Sequence, residues 1–221
     1  MKRGDLTLVT DYSLPCIVRA PATNLGAARP LLCFLHGYDE GAPTNIVDAL
    51  TRHGPLREGN PSLLIDQFLI VAPQLPAKGD IWLQYAAAVR EIVLAQAQHH
   101  GCNSGRCYLT GFSFGGNGAF DLALEQSDLW AAAWAVDPTR VPPRKLDVPV
   151  WVSMGQAARH QREALIRTLE LMSPQQGGDR IWTDENADHV GTARRSYSDV
   201  LIYEWLLSRA PHGASPRQES A

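Results

Sequence analysis

Gly111-Phe112-Ser113-Phe114-Gly115 follows Cys107-Tyr108-Leu109-Thr110 and precedes Gly116-Asn117-Gly118-Ala119-Phe120-Asp121-Leu122. The first flank is β-prone, and the second opens with small residues and continues in a helix-like pattern. A G-x-S-x-G pentapeptide alone carries little information, because Gly and Ser are common residues. Between a strand and a helix it reads as a nucleophile elbow, a sharp turn that exposes the serine hydroxyl while the glycines remove clashing Cβ atoms. Ser113 is therefore the candidate nucleophile, set against the bland reading of a Gly/Ser-rich loop.

A nucleophilic serine needs a base, and the base needs a third group to orient it. Around such an elbow the chain order is Ser, then acid, then His, which reduces seven histidines to His160, His189 and His212. His160 opens the charged stretch Arg159-His160-Gln161-Arg162-Glu163, and His212 lies in a Pro- and Gly-containing tail. His189 sits in a polar loop between the strand-like Arg180-Ile181-Trp182-Thr183 and an apolar C-terminal helix, where a base can be carried over the sheet edge. It is the candidate general base. For the acid, the later strand ends in Met154-Gly155 and is followed by Gln156, Ala157, Ala158 and Arg159, none of them a carboxylate. The earlier strand, residues 131–136, ends in Asp137-Pro138, at the carboxyl edge where α/β sites assemble. Asp137 is the favoured acid, with an Asp-Pro turn or helix cap as the rival reading; Glu163 and Asp188 are the alternatives.

The apolar run Pro30-Leu31-Leu32-Cys33-Phe34-Leu35 reads as a strand covered on both faces, and it ends in His36-Gly37-Tyr38-Asp39-Glu40-Gly41. With the elbow, this places the Phe114 N–H and the Tyr38 or Gly37 N–H as donors to an oxyanion. His36 then shapes the loop. The chain at this point resembles the α/β-hydrolase superfamily, nearest to its compact carboxylesterase/phospholipase-like, dienelactone-hydrolase-like and polyester-depolymerase-like branch. The residues carrying the resemblance are Leu35-His36-Gly37, the stretch 106–116, and Asp188-His189 ahead of Tyr203-Glu204-Trp205. It implies a Ser–His–Asp triad and hydrolysis of an ester or thioester. The branch usually carries Gly-x-x-Asp where this chain has Gly155-Gln156-Ala157-Ala158, so the acid is either relocated or missing. A serine peptidase or acyltransferase using the same residues is the enzymatic alternative; a degenerate, non-catalytic binding protein is the other.

A chain of 221 residues with 45% hydrophobic and 19% charged residues suits one globular domain, expected over 1–209, with a frayed tail over 210–221. A net charge of −3 gives no basic field for nucleic acid. No apolar run suggests a signal peptide or a membrane span, so a cytoplasmic address and no membrane partner are expected, with oligomeric state left open. Cys33 and Cys107 read as core thiols, and Cys102 and Cys107 are expected to stay unpaired in a cytosolic protein. No Cys/His spacing indicates a metal, and no cofactor is implied.

Strand-like segments at 6–10, 17–20, 31–35, 68–72, 107–110, 131–136, 150–154 and 180–183 alternate with helix-like ones. The pattern predicts a mostly parallel sheet of about eight strands flanked by helices. Asp80 reads as the N-cap of a helix to about His100 with Gly101 as its stop; further helices are expected over 157–172 and 196–209. The short segment 137–147 leaves no room for a cap domain. Trp82 and Phe112, with Phe114, are candidates to line a surface for a small or medium acyl group, although such aromatics are more often core.

Overall fold

Five consecutive apolar residues at 31–35, and similar runs at 132–136 and 150–154, cannot be half-solvated strands; they need cover on both faces. The computed structural model, which describes residues 6–20, 29–61 and 65–209, supplies that cover. The chain start (1–5) and the tail (210–221) read above lie outside the described residues. Eight strands form one sheet: β1 (Thr7–Val9), β2 (Cys16–Arg19), β3 (Leu31–Leu35), β4 (Leu69–Pro73), β5 (Cys107–Phe112), β6 (Ala132–Val136), β7 (Val150–Met154) and β8 (Arg180–Asp184). Their order is β1-β2-β4-β3-β5-β6-β7-β8. β1 and β2 pair antiparallel, β2 meets β4 antiparallel, and every pairing from β4 to β8 is parallel. Each expected strand overlaps an observed one.

Alternate side chains feed two cores. Leu31, Cys33, Leu35, Ala133, Val150 and Val152 join the face covered by α2 (Ala86–His99), α3 (Phe114–Glu125) and α5 (Arg162–Leu169). Leu32, Phe34, Trp134 and Trp151 join the face covered by α1 (Ile46–Leu50), α6 (His189–Ser196) and α7 (Val200–Leu207). Each fully buried Leu, Ile or Val contributes about 1.5–3 kcal/mol relative to exposure. No helix or strand interrupts residues 137–149 between β6 and β7, so no cap covers the carboxyl edge there.

Three helices depart from the sequence reading. Asp80 is not an N-cap. It accepts from the Tyr85 hydroxyl at 3.1 Å, and the chain enters α2 through a 3₁₀ turn, Trp82–Tyr85. The helix expected over 157–172 is broken: α4 (Gln156–Arg159) ends at exposed His160, and α5 begins after Gln161. The C-terminal helix is also two, because Asp188 starts α6 by accepting from Gly191 N at 2.6 Å, and Asp199 starts α7 by accepting from Leu201 N. Both carboxylates satisfy amides that a helix start leaves without partners.

Candidate active site

At the carboxyl end of β5 the backbone turns through Ser113 with φ 57° and ψ −116°, a conformation that L-residues avoid. The flanking glycines make the turn possible. A Cβ on Gly111 would lie 2.0 Å from the Gly115 carbonyl oxygen, and one on Gly115 would lie 1.9 Å from that of Leu35. No side chain fits either position. Ser113 N donates to Val136 O at 2.9 Å, which ties the elbow to β6. Its side chain stands at the N-terminus of α3, where the Phe114 amide is among those with no partner inside the helix.

β6 ends one residue before Asp137, which is fully buried with φ +42°. Its N–H donates to Ser153 O at 2.7 Å. Its Oδ1 accepts from Gly155 N and Ala158 N, both at 2.8 Å, and Oδ2 accepts from Ala157 N at 3.2 Å. The remaining approach to Oδ2 is taken by His189 Nδ1 at 2.6 Å. His189 Nε2 lies 2.9 Å from Ser113 Oγ. The structure thus brings Ser113, His189 and Asp137 into one continuous hydrogen-bonded chain. The two readings of Asp137, helix cap and partner of a histidine, are both present: it caps α4 from outside while holding the ring. Of the alternative acids, Glu163 is exposed on α5 and Asp188 caps α6.

His189 occupies the first position of α6 rather than a loop. Asp188 sets the start of that helix, and His189 N donates to Gln156 Oε1 at 3.3 Å. Gly155 admits the helix to this place, since a Cβ there would lie 1.8 Å from Thr192 Oγ1. The Phe112 ring lies against the imidazole, centroids 4.6 Å apart.

The loop after β3 holds the other side. His36 is buried; its Nε2 accepts from Leu75 N at 3.0 Å and its Nδ1 donates to Gly37 O at 2.7 Å. Burial pulls it down to about 4 against that second bond, so it is neutral and shapes the loop. A Cβ on Gly37 would lie 3.4 Å from Ser113 Cβ, so the loop and the elbow are in near contact. Gly37 and Tyr38 of this loop, and Phe114 after the elbow, carry the N–H groups expected to face an oxyanion, and the Glu40 carboxylate lies beside Gly37, its Oε2 2.8 Å from where a Cβ on Gly37 would be. The rings of Tyr38 and Phe114 meet edge to face, centroids 5.0 Å apart.

Trp82 and Phe112, expected to line an acyl surface, present little area to solvent. They are 2% and 3% exposed, and the Trp82 indole N–H donates to His36 O at 3.1 Å. Trp82 and Phe114 form part of the wall of a hollow of about 250 Å³ between Ile81, Gly118 and Arg140. A larger hollow of about 430 Å³ lies by Tyr12, Gln96 and His99 and includes no residue of this site. Tyr38 and Ile81 are half exposed, at 50% and 52%, and form an apolar rim. All four cysteines are free, and burial raises the thiols of Cys102 and Cys107 to about 11 and about 12. Among the described residues no group of His, Cys, Asp or Glu is placed to hold a metal ion, and no helix is long and apolar enough to cross a membrane.

An eight-stranded, mostly parallel sheet with an elbow at the carboxyl end of a central strand matches many solved structures. A thermostable esterase superposes with TM-score 0.75 at 20% identity over 94% of this chain and 63% of that one. The chain adopts the α/β-hydrolase fold. The same fold relates it to FphF, a fluorophosphonate-binding serine hydrolase of Staphylococcus aureus, with TM-score 0.66 and 13% identity over 91% of this chain and 98% of that one. It relates it also to an S-formylglutathione hydrolase from Agrobacterium tumefaciens, with TM-score 0.64 and 14% identity over 93% and 94%. No protein-family model matches the chain, and no curated protein does. Within this fold the features that sequence reasoning missed are Gln156, the amides of residues 155–158, and Glu40 with His53 below the loop after β3. The Gly-Gln-Ala-Ala stretch was informative only as a gap in a motif. Its small residues at a strand end were the available sign that its backbone, not its side chains, does the binding.

Proposed function

We propose that this α/β-hydrolase cleaves small or medium acyl esters or thioesters through an acyl-enzyme on Ser113. The observation that carries the reading is the pair of hydrogen bonds at His189, 2.6 Å to Asp137 and 2.9 Å to Ser113. With Nδ1–H donated to the carboxylate, Nε2 is the free acceptor and takes the Ser113 proton as Oγ attacks the carbonyl carbon. The oxygen of the tetrahedral intermediate is held by the Phe114 and Tyr38 amides, and the N-terminus of the twelve-residue α3 adds favourable dipole. His189 then returns the proton to the leaving alcohol or thiol. Water repeats the sequence to release the acid.

Asp137 serves in place of the carboxylate missing after Gly155. The amides of that segment fix its orientation, so Oδ2 stays aimed at the ring. The absence of a cap between β6 and β7, the half-exposed rim of Tyr38 and Ile81, and the adjoining hollow of about 250 Å³ suit an acyl group of modest length. The neighbours named above, an esterase and two hydrolases acting at ester-like centres or binding fluorophosphonate, are in keeping with this chemistry.

Fluorophosphonate labelling followed by peptide mass analysis tests the reading, together with p-nitrophenyl esters of rising chain length. One adduct at Ser113, lost in Ser113→Ala, is expected, with turnover falling beyond medium chains. Folded wild-type protein that neither labels nor turns over any ester would sink it and favour a binding role.

A further inference from the structure

Beneath the 3₁₀ turn Tyr38–Glu40 lies a carboxylate that this mechanism does not use. Glu40 is 5% exposed. Its Oε2 would lie 2.8 Å from a Cβ placed on Gly37, and that Cβ would lie 3.4 Å from Ser113 Cβ. It therefore touches the peptide that leads into the Tyr38 amide. The charged and titratable groups around it come from three segments. Asp39 is on its own turn; Arg52 Nη1 at 4.0 Å and His53 Nε2 at 3.6 Å follow α1; His189 acts on it from α6. Gln74, after β4, donates to its backbone carbonyl at 2.8 Å. His53 and His189 both pack on the Phe112 ring, with centroids 5.0 and 4.6 Å away.

A buried carboxylate is expensive unless well partnered. Here the full positive charge paired with it among the described residues, Arg52, is half exposed and at the limit of contact. Burial, together with neighbouring cations, holds His53 down to about 4, so it brings no charge at neutral pH. A neutral side chain of similar size would fill the space at lower cost, which makes the placement of charge beside the site the feature to explain.

Resting on the serine-hydrolase reading, we propose that Glu40 is a positioning residue. Its carboxylate anchors the Gly37 peptide so that the Tyr38 N–H is presented to the oxyanion. Its negative charge favours the imidazolium that His189 becomes during attack.

Glu40→Gln keeps the size and an acceptor oxygen but removes the charge. Losing a negative neighbour disfavours imidazolium, so the titration midpoint of the His189 ring, followed by NMR and assigned with His189→Asn, should fall by about half a pH unit. The acid limb of kcat/KM should move the same way, and kcat should fall about tenfold with KM little changed. Glu40→Asp keeps the charge but draws it back from Gly37, so it should lose kcat with the midpoint nearly retained; full kcat in that variant overturns the anchoring role. An unchanged His189 midpoint in folded Glu40→Gln overturns the electrostatic role, whatever the turnover. If wild-type protein neither labels nor turns over while the midpoint still moves, the hydrolase reading fails and the link between Glu40 and His189 stands. Should Glu40→Gln not fold, Glu40→Asp carries the test alone through kcat.

Discussion

The turn after β5 and the turn after β6 each present a side chain from a residue of positive φ, 57° at Ser113 and 42° at Asp137, and they are held there by different means. At Ser113 the cause is carried by residues of its own motif. Two glycines within two residues vacate the space that the turn needs, because carbonyl oxygens stand 1.9–2.0 Å from where their Cβ atoms would be. At Asp137 the cause is remote: Ser153 O accepts from the backbone N–H, and the amides of Gly155, Ala157 and Ala158 donate to the carboxylate. Strain balanced by sequence neighbours leaves a motif, whereas strain balanced across a sheet leaves an ordinary Asp-Pro pair.

The strongest attack on this contrast is Asp137→Asn. The amide can still accept from the α4 N–H groups through its oxygen, but its NH₂ would then face His189 Nδ1 and reverse the tautomer. Turnover of p-nitrophenyl acetate should fall on the order of 10⁴, the scale of the same change in the chymotrypsin-type triad, while circular dichroism and the melting midpoint change little. A loss below tenfold would mean that Asp137 only caps. Gly115→Ala attacks the other turn. With a carbonyl in its path the elbow must shift, and the variant should lose several kcal/mol, on the order of 4 or more, measured by urea unfolding. Wild-type stability would show that the elbow does not depend on its glycines.

Asp137→Ala and Ser113→Ala sharpen the comparison through stability. Truncating Asp137 strands buried amides and should cost about 3 kcal/mol, but Ser113→Ala should stay within about 0.5 kcal/mol, since the positive φ is retained and its hydroxyl meets only His189. Equal costs would contradict the remote bracing of the second turn.

The last effect concerns pH. His36 and His53 are both lowered to about 4 in the folded chain, mainly by burial. A folded-state value below the unfolded 6.5 means that the unfolded chain binds more protons between those limits. Stability is therefore full above about 6.5 and falls as pH drops toward 4, with His36 alone accounting for roughly 3 kcal/mol by then at about 1.4 kcal/mol per unit. Glu40, raised by burial, opposes this by gaining protons in the folded state. Urea midpoints from pH 7 to 4.5 should decline in wild type and flatten in His36→Gln relative to its own value at pH 7; parallel curves would assign the decline elsewhere.

Much of this was legible in the chain. Most strands announced themselves through apolar runs, because a strand covered on both faces tolerates no polar alternation; β1 and β8, at the sheet edges, carry mixed sequences. Ser113 was legible through its glycines, and His189 through chain order. The helices were less so: Asp188 and Asp199 start two helices where one amphipathic pattern ran on, because capping competes with periodicity over a few residues. The amides of residues 155–158 left only small residues at a strand end as a sign, since backbone N–H groups are the same in every residue, and the burial of Glu40 left none.

The sequence by itself determined the strands, the elbow motif and the order of its chemical groups, which rest on apolar runs and on residues adjacent in the chain. Only the tertiary structure decided which carboxylate meets His189 and which amides hold that carboxylate in place. Those outcomes depend on residues 18–52 positions apart, as between Asp137 and Gly155 or His189. Their distances are fixed by packing of the whole sheet, which no local pattern encodes.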